Sequence, residues 1–166
     1  MKKTISRRQA REQAFILGFE NIFTNETLEE MIETLKDAET ASEIGTIDEF
    51  AISVVKGMIE NIEDIDCLIE KNSNGWRKNR ISKVSLTTIR LSVYQIIYSA
   101  DLTVAKDPVG VIISEAVRLT KKYSSSDDAS FVNGVLGSIA RANGEDIEDR
   151  VNLSEEVGEK PLDSFY

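Results

Sequence analysis

DPVGVIISEAVRLTKKYSSSDDASFVNGVLGSIA, residues 107–140, divides into two apolar-periodic runs separated by a short polar turn. Asp107 is placed to cap a helix whose first turn holds Pro108, a position where the missing N–H breaks no hydrogen bond. Val109, Ile112, Ile113, Ala116, Val117 and Leu119 then recur at three- and four-residue spacing, the pattern of one wide buried stripe. Lys121 and Lys122 fall in the last turn, where positive charge suits the helix dipole. Residues 124–128 break the pattern and offer caps for a second helix. Its inward side is predicted to carry Phe131, Val132, Val135, Leu136, Ile139 and Ala140, with Gly134 and Gly137 letting a neighbour come close. The pair predicts a helical protein without saying what that protein does.

Working outward, the same signals repeat. Ser6 with Gln9, Thr27 with Glu30 and Thr46 with Glu49 each have capping-box spacing, and each precedes an apolar run. Residues 47–62 hold the cleanest helical stripe, and Gly57 within it marks a close helix crossing, since glycine there otherwise costs about 1 kcal/mol relative to alanine. Ile65, Leu68 and Ile69 predict a fourth helix that ends before the turn at 72–75; Trp76 after it reads as a core anchor. In residues 81–98 Ile89, Leu91 and Val93 alternate as in a strand. Neither glycine nor proline interrupts the stretch, and Val84, Leu91, Tyr94 and Tyr98 keep helical spacing, so it reads as helix. The expected class is all-α with about seven helices. Residues 145–166 form an acidic tail expected to drape over the surface.

The chain of 166 residues fits one domain or two small subdomains sharing a core, and 41% hydrophobic with 30% charged residues is the balance of a globular protein. Apolar runs stay far below the roughly 18 residues of a membrane span. The basic N-terminus is followed by no apolar signal core, so the cytoplasm is the expected compartment. The chain has no histidine, which removes His-based acid–base catalysis, the usual zinc sites and the common hydrolase triads. Its one cysteine, Cys67, lies in an apolar stretch and is expected to be a buried structural thiol. Glu63, Asp64 and Asp66, and likewise Asp127 and Asp128, lack the spacing of a calcium loop and read as solvated caps or faces. Neither a metal nor a cofactor is expected, and the expected role is not enzymatic.

A net charge of −9 argues against a nucleic-acid partner until its distribution is considered. Residues 1–22 hold Lys2, Lys3, Arg7, Arg8 and Arg11 against Glu12 and Glu20, and residues 71–90 hold six basic side chains with no acid. Residues 24–49 carry nine acids against Lys36. Separated signs offer a basic patch to a phosphate backbone and an acidic face to a basic partner. Arg7, Arg8 and Arg11 also sit in the first two turns of a predicted helix, where positive charge opposes the dipole. A bound polyanion would give that arrangement a reason; solvated surface arginines are the plain alternative.

Three segments carry a family resemblance: Arg7-Arg8-Gln9-Ala10-Arg11-Glu12, then Ile89-Arg90-Leu91-Ser92-Val93-Tyr94-Gln95-Ile96, then the Pro108 helix with Phe131-Val132-Asn133-Gly134-Val135-Leu136. In this order they resemble the bacterial NusB transcription antitermination family, over about residues 6–140. The resemblance implies two packed helical bundles, about 1–75 and 76–144, within one domain of residues 1–144. It implies binding of boxA-type single-stranded RNA together with ribosomal protein S10, within the RNA polymerase antitermination complex, so that premature termination in ribosomal RNA operons is suppressed. Carried over by position, the RNA side is Lys2, Lys3, Arg7, Arg8, Arg11, Arg90, Phe131 and Asn133. The side facing S10 draws on Glu115, Asp127 and Asp128. Gln95, Gly110 and Ser114 depart from the family pattern, and the tail lies outside it. A homodimer is an arrangement the composition permits. Two other readings stand beside this one: a helical protein-interaction adaptor without RNA of its own, and a stand-alone relative of a ribosomal RNA methyltransferase accessory domain.

Overall fold

Helix α5, Lys83–Ile97, has almost no solvent face. In the computed structural model, which describes residues 5–37, 46–75, 77–98 and 108–143, five other helices pack around it. In chain order these elements are α1 Arg7–Phe23, α2 Leu28–Asp37, α3 Glu49–Glu60, α4 Ile62–Asn72, a 3₁₀ turn Lys78–Arg80, α5, α6 Pro108–Tyr123 and α7 Ser126–Ala142. Seven α-helices and no strand occur among the described residues. None of these helices is long and apolar enough to cross a membrane. Trp76, Asp107 and the acidic tail lie outside the described residues.

The start signals work where a side chain meets the third backbone N–H. Ser6 and Gln9 close a reciprocal capping box, and Thr27 and Glu30 close another at 2.9 and 3.2 Å. Thr46 does not cap α3. Asp48 takes that place by accepting from the Phe50 N–H, while the Thr46 carbonyl accepts from Gln13. Ser125 caps α7. A single residue, Asn61, separates α3 from α4, and its side chain donates back to the Gly57 carbonyl at 2.8 Å.

The apolar stripes meet in one core cluster that includes Leu17, Met31, Val55, Met58, Ile65, Ile69, Leu86, Ile89, Val132, Leu136 and Ile139 among the buried side chains. Burying each large aliphatic side chain contributes roughly 1.5–3 kcal/mol. Gly57 lies directly under the Tyr94 ring, where a Cβ would overlap the ring atoms, so the expected close crossing of α3 and α5 is present. Gly18 plays a similar part between α1 and α5: a Cβ there would meet Thr87 at 3.3 Å and Leu91 at 3.4 Å. Gly134 and Gly137 do not. A Cβ at Gly134 meets nothing, and at Gly137 only the Arg141 side chain of the same helix. Cys67 is exposed rather than buried, because Ile65 and Ile69 turn the opposite side of α4 inward.

Because α5 is buried all round, its polar side chains need partners inside the protein. Thr87 bonds the Lys83 carbonyl at 2.7 Å, and Thr88 shares a hydrogen bond with Thr120 of α6 at 2.9 Å. Arg90 donates through Nε and Nη2 to the two carboxylate oxygens of Asp66, each at 2.8 Å. This overturns two expectations. Asp66 is a buried counter-ion rather than a solvated acid, and Arg90 is 7% exposed with Nε and Nη2 held by Asp66, which withdraws it from the surface.

Removing one member of a buried ion pair leaves the other charge unsatisfied, whereas replacing both with apolar residues is near neutral. Asp66→Ala should therefore lower unfolding stability by about 3–5 kcal/mol in urea titrations, and Asp66→Leu combined with Arg90→Met should recover most of that loss. Additive losses in the double variant would show that the pair is not the unit.

Candidate nucleic-acid interface

Arg7, Arg8 and Arg11 occupy the first two turns of α1, whose first turn contains no acid. The structure sets Arg8 against one buried carboxylate and Arg7 and Arg11 over one aromatic ring. Arg8 Nε donates to Glu115 Oε1 at 3.2 Å, and Arg118 Nε donates to Glu115 Oε2 at 3.1 Å. Arg118 Nη2 lies 3.1 Å from the same oxygen without the alignment of a hydrogen bond. Arg11 Nε reaches Gln95 Oε1 at 3.4 Å, while Gln95 Nε2 donates to the Leu91 carbonyl. The Arg7 guanidinium stacks 3.9 Å above the Phe50 ring, and that of Arg11 lies 5.8 Å from the same ring.

The sum of these contacts is positive. Arg8 and Arg118 share one carboxylate, Arg11 lies within its field, Arg7 stacks on Phe50, and the Arg8 side chain keeps 64% of its surface exposed. Burial holds the Arg11 pKa below its ordinary value; Glu115 opposes this and Arg7 adds to it. Behind the cluster a cavity of about 20 Å³, with room for one water, is lined by Arg11, Thr88, Ser92, Gln95 and Glu115. At 8% exposed and held between two arginines, Glu115 is not an acid presented to a basic partner, which corrects the expectation for it. Its role here is to orient the arginines.

The last turn of α6 extends the cluster. Lys122 and the Tyr123 hydroxyl both donate to Glu12, and the Tyr123 ring stacks on Phe15 with centroids 4.8 Å apart. Beyond it comes the turn into α7, where Asp127 is exposed and Asp128 accepts from Ser124. Both acids stand in the first turn of α7, where the dipole favours them. Phe131 is half-buried, with its ring packed against the core, and Asn133, two residues further along the helix, is half-buried as well. Their helix packs on α4, α5 and α6, so α6 is what joins them to the arginines of α1. Arg90 lies apart, against α4. Lys2 and Lys3 lie outside the described residues.

Sequence reasoning missed Arg118, Lys122 and the orienting role of Glu115. The i, i+3 spacing of Glu115 and Arg118 was a usable signal. The meeting of Arg8 with Glu115 was not, since 107 residues separate them. No group of three or more metal-binding side chains occurs among the described residues.

Comparisons with known proteins bear on the family and the fold. The profile of the NusB family matches residues 8–141. The transcription antitermination protein NusB of Clostridium novyi (strain NT) is 38% identical over 139 residues, which is 83% of this chain and all of that protein. The structure of NusB from T. maritima superposes with a TM-score of 0.71 at 29% identity, covering 89% of this chain and 99% of that one. A crystal structure of antitermination factors NusB and NusE in complex with dsRNA superposes with a TM-score of 0.68 at 29% identity, over 82% and 96% of the two chains.

The Glu12 contact is sensitive to pH. Burial raises the Glu12 pKa, but hydrogen bonds from Lys122 and Tyr123 and the charges of Lys122 and Arg118 outweigh it, so the net shift is downward. A depressed carboxyl pKa stabilises the fold above the unfolded value, and that stability is lost as pH falls through the folded value. Lys122 is shifted up, chiefly by its hydrogen bond to Glu12, so its contribution is lost only as pH rises through its own range. The urea midpoint of Glu12→Gln should therefore lie below that of the wild type at neutral pH and converge with it on acidification. Parallel pH curves for the two proteins would remove this contact from the acid limb.

Proposed function

The chain belongs to the NusB family, and on that premise we propose that it is a non-catalytic antitermination factor that binds boxA-type single-stranded RNA together with ribosomal protein S10. In this reading it acts within the RNA polymerase antitermination complex and suppresses premature termination in ribosomal RNA operons. One observation supports it above the others: Arg8 and Arg118 divide the buried Glu115 while Arg7 and Arg11 lie over the Phe50 ring, in a molecule of net charge −9. Positive charge against the N-terminal dipole of α1 lowers stability, and phosphate oxygens are the partner that offsets it. The neighbouring protein solved with NusE and RNA has the same helical frame, which supports the same assignment.

The contributions divide by chemistry. Arg7, Arg8 and Arg11, with Lys2 and Lys3 before them, bind phosphates and hence set the salt dependence. Arg8 exchanges part of its contact with Glu115 for a phosphate, and Glu115 keeps Arg118. Phe131 gives its exposed edge and Asn133 its amide to bases, the stacking and edge contacts by which unpaired RNA is read. Asp127 and Asp128 at the start of α7 face S10, whose basic surface suits them. Arg90 takes no part.

Labelled boxA RNA, titrated with and without S10 at two salt concentrations, tests this reading. Arg7→Gln should weaken RNA binding with the melting temperature unchanged. Arg7→Gln with Arg8→Gln should weaken it further and lower the slope of log K against log salt by about 0.7 for each phosphate that is no longer neutralised. Unchanged affinity in the double variant would remove α1 from the RNA surface. Tight S10 binding by a wild-type protein that binds no RNA would replace this reading with that of a protein-interaction adaptor.

A further inference from the structure

A second concentration of positive charge lies where α4 ends and α5 begins. Of the six basic residues in the acid-free segment 71–90, Arg90 is withdrawn by Asp66. Lys71, Arg77, Arg80 and Lys83 are exposed, and none of them is ion-paired among the described residues. Local backbone geometry keeps them together. Asn74 and Gly75 turn the chain through positive φ, at 50° and 83°, and the Arg80 N–H closes the 3₁₀ turn on the Arg77 carbonyl at 2.8 Å. Helix α7 adds one more cation. Ser138 Oγ donates to Asn72 Oδ1 at 2.7 Å, which fastens the last turns of α7 beside the end of α4, and exposed Arg141 follows one turn later.

This corner is separate from the arginine cluster of α1. Helices α1 and α5 run antiparallel, because Gly18 lies against Thr87 and Leu91 while Arg11 reaches Gln95. Lys83 therefore stands at the opposite end of α5 from the Arg11–Gln95 contact, about 18 Å away along the helix axis at 1.5 Å per residue. Like charges gathered on one corner repel one another, and in a protein this acidic they are not needed for solubility. An open array of flexible cations on several elements fits a chain of phosphates rather than a single one.

We propose that Lys71, Arg77, Arg80, Lys83 and Arg141 form a second phosphate-binding surface, which takes the RNA backbone flanking the segment held at α1. The inference rests on the RNA-binding reading above. It makes affinity depend on RNA length beyond the recognised element, and it carries no base preference, because the contacts go to phosphates.

The test compares a boxA-length oligonucleotide with the same oligonucleotide extended at both ends, at two salt concentrations, using wild-type protein and the exposed-residue variant Arg77→Gln, Arg80→Gln, Lys83→Gln. Arg7→Gln serves as the control at the other surface. The triple variant should hold the short RNA within about twofold of wild type, bind the extended RNA about tenfold more weakly at low salt, and show a shallower salt slope on that RNA alone. Equal affinity of wild type and triple variant for the extended RNA would overturn the second surface, as would capture of an acidic protein there with RNA affinity unchanged. Wild-type protein that binds neither RNA would instead defeat the RNA reading itself. A single variant, Lys83→Gln, with melting unchanged, provides the same comparison if the triple variant folds poorly.

Discussion

The near-complete burial of α5 is the constraint from which the rest of the structure follows. A helix with one apolar stripe needs one neighbour; this one is enclosed by α1, α3, α4, α6 and α7. Enclosure explains why residues with no hydrophobic role recur along it. Thr88 is answered by Thr120, Gln95 by Arg11 and by its own preceding turn, and Arg90 by Asp66. Each pairing fixes a neighbouring helix in angle and register, because a displaced partner would leave a polar group dry. The arginines of α1 inherit their position from this arrangement, since α1 is seated on α5 through Gly18 and Leu91.

Charge is organised by sharing rather than by pairing. A carboxylate matched to one arginine cancels it, whereas Glu115 is divided between Arg8 and Arg118 and lies within the field of Arg11. The anion gives the cations fixed directions and leaves the surface positive. Gln95 acts to the same end. Its oxygen receives Arg11 without contributing a negative charge, so it leaves the arginine cluster more cationic than a glutamate in its place would. Overall acidity and a local basic surface are therefore compatible in one chain.

What was legible in the sequence depended on the range of the interaction. Helix starts at Ser6 and Thr27, a cap within 124–128, the identity of 81–98 as helix and the close crossing at Gly57 all rest on residues a few positions apart or on one face, and all are present. The strand-like alternation of Ile89, Leu91 and Val93 has a simple cause: on a helix enclosed on nearly every side, apolar residues are buried on several faces and polar ones are buried among them, so a single helical period loses its meaning. Thr46 failed as a cap because Asp48, two residues on, competes for the same role. Cys67 was misread because its neighbours are apolar while its own direction on the helix is outward. Asp66 with Arg90, and Arg8 with Glu115, join residues 24 and 107 positions apart, and no local pattern announces such a meeting. The basic start of α1 was visible; the carboxylate that shapes it was not.

The seat of Tyr94 on Gly57 also bears on how this protein is able to vary. No side chain fits at position 57 while an aromatic ring occupies the space above it. Position 94, in contrast, tolerates a smaller residue at the expense of a gap. Divergence at this crossing is consequently ordered in time: the ring must shrink before the glycine is released, and a lineage that has filled position 57 has closed the way back to tyrosine.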